Sequence, residues 1–135
     1  HENLIPSIIK VAKKKSPYLK IYGKNYKTKD GTCIRDYIHV MDLAEGHVEM
    51  LKNNKQRKGV EVYNFGNGKG FTVLEIVKEF EKQTGISIPI KFTRRRKGDT
   101  PVSFCSNNKV LRHLSWKAKR DLRECMLNIK MVLQK

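Results

Sequence analysis

The chain has 135 residues, of which 39% are apolar and 31% charged, so its length allows one ordinary domain with one core. No apolar run approaches the ~20 residues that span a membrane, and no signal peptide is recognisable. The net charge is +16, with 13 basic and 3 acidic residues in positions 91–135. These cations follow helical patterns and are not interleaved with aromatic side chains, which argues against specific nucleic-acid binding.

The number and spacing of the cysteines and histidines argue against a disulfide-stabilised fold and against a metal site with regularly spaced ligands. Cys33, Cys105 and Cys125 are odd in number and show no paired spacing, and none of the four histidines stands at a metal-ligand distance from them in sequence. We therefore predict reduced thiols, no metal site and a cytoplasmic location.

Helices and short strands alternate along the chain. Apolar spacing and boundary residues predict a helix over Asn3–Lys15, a strand over Tyr18–Gly23, a loop with an Asp30-Gly31 turn, an extended run over Arg35–Val40 and a helix over Asp42–Lys52. There follow a strand over Val60–Phe65, a glycine-rich break, a helix from the Thr72 capping box to Gly85, a strand over Ile86–Thr93, a charged loop over 94–101, a short helix from Ser106 to His113 and a last helix from Asp121. This order predicts a single α/β unit over residues 1–135 with short strands and about five helices.

Three features of this order suit a nucleotide diphosphate. Arg35 directly precedes a strand-to-helix transition, and its planar guanidinium matches a pair of phosphate oxygens. The loop containing Arg96 and Asp99 offers a cation for phosphate and a carboxylate for ribose hydroxyls. Asn3 stands at the start of a helix, where an anion is favoured. Each signal is weak alone, since an exposed ion pair, a solvated basic run and a helix cap are the commoner interpretations.

The glycines at 66, 68 and 70 lie between a predicted strand and a predicted helix. Their spacing is G-x-G-x-G and not G-x-G-x-x-G, and no acidic residue ends a following strand about 20 residues on. We interpret them as a structural turn and predict no cofactor site in this chain.

The order of the motifs is more informative than any one of them. The chain carries, in sequence, Asn3-Leu4-Ile5-Pro6, Ile21-Tyr22-Gly23, Asp30-Gly31-Thr32, Arg35-Asp-Tyr-Ile-His-Val40, Asp42-Leu43-Ala44, Tyr63-Asn64-Phe65-Gly66, Thr72-Val73-Leu74, Arg96-Lys97-Gly98-Asp99 and Leu114-Ser115-Trp116. This series resembles the C-terminal, sugar-nucleotide-binding part of the UDP-glucose 4-epimerases, which belong to the extended short-chain dehydrogenase/reductase family. Ser115 departs from the Gly usual there.

The resemblance implies a UDP-hexose site. It implies that the residues opening the first helix contact the diphosphate, that the first strand pairs its backbone with uracil, that the two arginines bind the phosphates and that Asp99 binds the ribose. It also implies that Ser103 lies beside the C2 group of the sugar, where a small residue admits N-acetylated sugars and a Tyr excludes them. The predicted substrate-binding set is Asn3, Leu4, Leu19, Lys20, Tyr22, Arg35, Arg96, Asp99 and Ser103.

The resemblance also implies chemistry that this chain lacks. Epimerisation in that family uses bound NAD and a Tyr-x-x-x-Lys pair, and none of the five tyrosines has a Lys four residues on. We therefore expect that the NAD-binding Rossmann half lies outside the chain, that the chain alone is inactive, and that the intact enzyme is a homodimer with no membrane partner. The alternatives are part of another NAD-dependent nucleotide-sugar epimerase, decarboxylase or dehydratase, and a catalytically dead basic module that binds nucleic acid.

Overall fold

The structure, a computed structural model, describes residues 3–53 and 59–134. Those ranges contain five helices and five short strands, which confirms the predicted α/β class. In chain order the elements are α1 (Leu4–Ala12), β1 (Leu19–Tyr22), β2 (Ile34–Asp36), α2 (Val40–Asn53), β3 (Gly70–Thr72), α3 (Val73–Thr84), β4 (Ile90–Thr93), β5 (Val102–Ser103), α4 (Asn108–Leu114) and α5 (Leu122–Leu133). Within these ranges no helix has the length and apolar character needed to cross a membrane.

The strands form two small sheets. β1 pairs in parallel with β4, with Leu19 opposite Ile90. In the second sheet β2 is central, antiparallel to β3 and parallel to β5. The parallel pairs join distant parts of the chain, so the loop before β5 returns to the strand that carries Arg35.

The main core lies between α1, β1, α3 and α5. α3 turns Ile76, Val77 and Phe80 inward, because this spacing places them on one face of a helix. They pack against Ile8 of α1, Leu19 and Ile21 of β1, Ile88 and Met126. A smaller cluster gathers around Val110, Leu114 and Trp116 at α4.

The start of α3 is tied to the loop that precedes β2. The Thr72 hydroxyl accepts from the Glu75 amide at 3.1 Å, and the Glu75 carboxylate accepts from the Thr72 amide at 2.8 Å, so the predicted capping box is confirmed. Asp30 accepts hydrogen bonds from Thr72 and Thr32. Burial alone would raise the pKa of Asp30, but these hydrogen bonds hold it below its ordinary value.

Asp42, in the first turn of α2, holds the segment that leads into α5. Its side chain is 1% exposed, and it accepts from the backbone amides of Lys119 and Arg120 at 3.1 and 2.9 Å. It also pairs with the Arg120 guanidinium at 2.5 Å. A buried carboxylate satisfied in this way fixes two elements together, whereas an unpaired one would destabilise the fold.

Two predictions between residues 60 and 72 were wrong. No strand forms over Val60–Phe65; the two valines are exposed, while Tyr63 and Phe65 pack on the cluster around Trp116. The strand forms at Gly70–Thr72 instead, where the glycine run was interpreted as a turn. Gly70 lies over the Ile34 side chain, and a Cβ there would collide with it, so the glycine permits β3 to pair with β2.

Other boundaries differ by a few residues. The strand predicted over Ile86–Thr93 is confined to Ile90–Thr93, and the extended run from Arg35 ends at Asp36. The short helix begins at Asn108 with Asn107 at its N-cap position, and not at Ser106. The last helix is capped as predicted, since the Asp121 side chain accepts from the Glu124 amide.

Candidate functional site

A cleft of about 550 Å³ opens between the start of α1, β1, β2 and the loop before β5. This volume is in the usual range for a small-molecule site. Its lining residues include eight of the nine predicted for substrate binding: Asn3, Leu4, Leu19, Lys20, Tyr22, Arg35, Arg96 and Asp99. The ninth, Ser103, does not line the cleft; it lies on β5 with its Cα paired to that of Arg35.

Two arginine side chains converge on one carboxylate in this cleft. Arg96 Nε lies 3.0 Å from Asp99 Oδ2, and Arg35 Nη2 lies 4.0 Å from Asp99 Oδ1. A tight turn makes this geometry: the Asp99 amide donates to the Arg96 carbonyl, and Gly98 between them has a φ of 88°, which favours glycine. The turn therefore places Arg96 and Asp99 of the charged loop beside Arg35.

Arg35 is held by the backbone around it. Its Nη1 donates to the carbonyls of Ile34 and Thr100, at 2.8 and 2.9 Å. The side chain is 29% exposed. Because both carbonyls belong to segments fixed by the second sheet, the guanidinium is oriented before any ligand arrives.

β1 presents an unpaired backbone edge to the cleft. The Leu19 amide donates to the carbonyl of Pro89, the residue before β4, at 2.7 Å, and the Gly23 amide donates to the carbonyl of Thr93 in β4 at 2.9 Å. Since the backbone groups of a strand alternate in direction, those of Lys20 and Tyr22 point to the opposite edge, where no strand of the described residues pairs with them. A planar base could accept and donate hydrogen bonds along this edge.

The aromatic face beside that edge is already covered. The Arg96 guanidinium lies 4.6 Å from the centroid of the Tyr22 ring, in a cation–π contact. The Leu19 side chain is buried in the main core, so Leu19 contributes to the cleft mainly through its backbone.

Asn3 occupies the N-cap position of α1 without using its side chain as a cap. Its backbone carbonyl accepts from the Ser7 amide and hydroxyl at 3.2 and 3.0 Å, while no capping hydrogen bond forms from its amide side chain. Helix capping therefore does not explain the residue type. Asn3 and Leu4 both line the cleft.

Sequence reasoning missed other residues of the cleft, among them Ser7, Cys33, Asp36 and Tyr37. Burial raises the pKa of Tyr37 to about 12, so its hydroxyl stays protonated at neutral pH. The signal for Asp36 and Tyr37 was their position next to Arg35, but the pattern did not indicate which of them faces a ligand.

The glycine-rich turn does not fit a dinucleotide phosphate. The amides of Asn67 and Gly68 donate to the Asp36 carboxylate at 2.9 and 3.1 Å, and a Cβ at Gly66 would collide with that carboxylate and with Cys105. The backbone amides that such a turn would donate to a phosphate therefore already donate to the carboxylate of Asp36. The turn at residues 66–68 is thus held by a side chain of the chain itself, whereas Gly70, the last glycine of the predicted turn, belongs to β3.

Among residues 3–53 and 59–134, no group of three or more His, Cys, Asp or Glu side chains is arranged to hold a metal ion. Cys33, Cys105 and Cys125 are free thiols. Burial, and secondarily Asp36, raises the pKa of Cys105, so this thiol is a poor nucleophile.

Fold and cleft together define an α/β unit of short strands, paired in both parallel and antiparallel fashion, with two arginine side chains in its cleft. The chain belongs to the family described as GDP-mannose 4,6 dehydratase, whose model matches residues 1–129, and so to the extended short-chain dehydrogenases/reductases. It is 48% identical over 90% of its length to a UDP-glucose 4-epimerase of Bacillus subtilis, covering 36% of that protein. The predicted resemblance is thereby confirmed.

Solved structures that are similar to this chain are also 4-epimerases. A UDP-glucose 4-epimerase from Stenotrophomonas maltophila, crystallised with bound NAD and formylated UDP-arabinopyranose, matches 99% of the chain at 41% identity with a TM-score of 0.91, and the match covers 40% of that structure. A UDP-Glc/GlcNAc 4-epimerase from Campylobacter jejuni matches 97% of the chain at 34% identity with a TM-score of 0.85, over 40% of its own length. The chain spans little more than a third of the length of the curated relatives it matches.

Proposed function

We propose that this chain is the UDP-sugar-binding part of a UDP-glucose 4-epimerase, which interconverts UDP-glucose and UDP-galactose with bound NAD. The proposal is supported by relatives of that name at 48–49% identity and by the cleft. The observation that carries it is the meeting of Arg35, Arg96 and Asp99 at the open edge of β1.

Each part of the cleft has a role in this proposal. Arg35 and Arg96 bind the two phosphates, because guanidinium groups match phosphate oxygens in charge and geometry. The backbone of Lys20 and Tyr22 pairs with the uracil edge, and Asp99 accepts from the ribose hydroxyls. Asn3 and Leu4 contact the diphosphate from the start of α1, where the helix dipole favours an anion.

We propose that the catalytic groups and the NAD site belong to residues outside positions 1–135. The glycine turn is engaged by Asp36, and no Tyr-x-x-x-Lys pair occurs in the sequence. The chain is therefore proposed to bind substrate without turning it over, and the intact enzyme to be a homodimer of galactose metabolism. The three free thiols support a location in a reducing compartment, the cytoplasm.

Calorimetric titration with UDP tests the binding role. Replacing Arg35 by Gln removes a charge-assisted contact to phosphate, so UDP is expected to bind roughly 10- to 100-fold more weakly. Arg123→Gln, which makes the same charge change at an exposed position of α5, is the matched control and is expected to leave UDP binding unchanged.

Two outcomes would contradict the proposal. One is equal UDP affinity in the parent chain and the Arg35→Gln variant. The other is tighter binding of single-stranded RNA than of UDP at physiological salt, which would favour the nucleic-acid module, since nonspecific binding through phosphates weakens steeply with salt.

A further inference from the structure

The Asp99 carboxylate occupies a position between two cations that a phosphate would also favour. Both of its oxygens are engaged: Oδ2 is 3.0 Å from Arg96 Nε, and Oδ1 is 3.4 Å from Arg96 Nη2 and 4.0 Å from Arg35 Nη2. The carboxylate is 19% exposed, less than either arginine. The cleft therefore already contains an internal anion between its two guanidinium groups.

The two arginines are held differently. Arg35 is fixed by two backbone carbonyls, at Ile34 and Thr100, whichever way Asp99 points. Arg96 is 40% exposed, and its described contacts are to the Asp99 carboxylate and the face of Tyr22. When the carboxylate turns away, Arg96 is the group that is released.

We propose that Asp99 is a specificity-determining residue that acts by exchange. In the empty cleft it substitutes for the ligand's phosphate and keeps Arg96 over Tyr22. An incoming diphosphate displaces it from the arginines, and the freed carboxylate then accepts hydrogen bonds from the ribose hydroxyls while Tyr22 is uncovered for the base. This inference rests on the proposed function, because it assigns an order of events within the same cleft.

The exchange discriminates between ligands. A nucleoside diphosphate replaces every contact that it breaks: phosphates for the arginines, a diol for the carboxylate and a base for the tyrosine face. Free pyrophosphate breaks the same carboxylate–arginine contacts and offers the carboxylate nothing in return. Asp99 thus selects against free pyrophosphate and inorganic phosphate by leaving a desolvated carboxylate unpaired.

The test is a titration of the full chain with pyrophosphate and with UDP. Asp99→Asn removes the competing charge, so pyrophosphate is expected to bind roughly 3- to 10-fold more tightly. UDP is expected to gain less than pyrophosphate or to bind more weakly, because the amide is a poorer acceptor for the ribose hydroxyls. Asp99→Ser is expected to behave in the same way, and far-ultraviolet circular dichroism confirms that each variant is folded.

A double-mutant cycle separates exchange from a general field effect. In an Arg96→Gln background, Asp99→Asn is expected to change pyrophosphate affinity by less than about 2-fold. The Asp99 carboxylate then has no Arg96 guanidinium to compete for, so its removal frees no cation for pyrophosphate. Glu79→Gln, a carboxylate-to-amide change on α3 outside the cleft lining, is the control for net charge and is expected to have no effect.

The proposed exchange is overturned if Asp99→Asn leaves pyrophosphate affinity unchanged or lowers it, or if the gain persists in the Arg96→Gln background. Those results leave the proposed function intact as long as the parent chain binds UDP. A parent chain that binds neither UDP nor pyrophosphate overturns the proposed function itself.

Discussion

Ser103 is a single residue whose size we propose bears on the choice of sugar. β5 pairs with β2 so that Ser103 lies opposite Arg35, one strand away from the proposed phosphate site. Its side chain is exposed. We propose that a sugar attached to a diphosphate held at Arg35 extends past this position, where a serine leaves room for a substituent that an aromatic ring would fill.

We expect Ser103→Tyr to weaken binding of UDP-N-acetylglucosamine by about 10-fold or more while changing UDP-glucose binding by less than about 3-fold, since steric exclusion acts on the N-acetyl group alone. Titration of both sugar nucleotides measures this. Ser106→Tyr, the same change at an exposed serine outside the cleft lining and outside β5, serves as the control. Equal affinities for N-acetylated and plain sugars in the Ser103→Tyr variant and its parent would contradict the role assigned to this position.

At the scale of elements, the loop at Asp30 and the first turn of α3 form one unit. Asp30 receives hydrogen bonds from Thr32 and Thr72, both of which are fully buried. Gly31 makes the turn possible, since its φ is 77° and a Cβ there would collide with the Lys24 carbonyl. The unit orients β2, and with it Arg35.

Asp30→Ala is expected to lower the free energy of unfolding by roughly 2–3 kcal/mol, because it leaves two buried hydroxyl groups without an acceptor. Asp121→Ala, which removes an exposed helix cap from α5, is the matched control and is expected to cost about 1 kcal/mol. Urea denaturation measures both. A smaller cost for Asp30→Ala than for Asp121→Ala would show that the loop does not hold α3.

The same unit makes the fold sensitive to acid. For Asp30 and Glu75 burial alone would raise the pKa, but hydrogen bonds and Lys29 hold both below the ordinary values of 3.8 and 4.5. A carboxyl group whose pKa is lowered in the folded state stabilises the fold at pH values above its ordinary, unfolded-state pKa. This stability is lost as the pH falls through the folded-state pKa. The free energy of unfolding is therefore expected to fall below about pH 4, and less steeply in Asp30→Ala.

Elements that are determined by neighbouring residues in the chain could be predicted from the sequence. Elements that depend on pairing with a distant segment could not. The capping box of Thr72 and Glu75 and the stop at Gly85 lie within one helix, so their residue types determine them. β3 and β5 exist because β2 lies between them, and a strand of two or three residues has no pattern of its own. Val60–Phe65 has an alternating pattern but no strand beside it.

In the candidate site, too, residues in recognisable motifs could be predicted, whereas contacts between distant segments could not. Arg35, Arg96 and Asp99 were found through a resemblance in motif order, and the turn at Gly98 then explains how two of them meet. The Arg96 contact with Tyr22 and the engagement of the glycine turn by Asp36 were not predictable, since each joins segments about 30 to 75 residues apart.

At the scale of the whole molecule, one face is strongly apolar. A groove of about 320 Å³ between α1, the start of α2 and α5 is lined by Ile5, Ile9, Ile38, Val40, Ile129 and Val132, among others. Val40 and Val132 are 71% and 57% exposed. A soluble monomer rarely leaves such a surface uncovered, so the chain on its own is expected to be marginally stable or to associate.

Light scattering and a thermal melt test this expectation. Val132→Lys is expected to reduce association at least about 2-fold, because it places a charge in the apolar groove. Leu111→Lys, at an exposed apolar position of α4 outside the groove, is the control and is expected to have little effect. A cooperative melt of the parent chain as a monomer with a high midpoint would contradict the expectation.

The parallel pairings also bear on how the chain acquires its structure in time. β1 and β2 each pair with a strand about 70 residues further along, at β4 and β5. Closing loops of that length is entropically costly, so such pairings form slowly. During synthesis on a ribosome, Arg35 emerges long before Asp99, so the two can meet only after all the residues between them have been made. The proposed binding site is therefore expected to form late in folding.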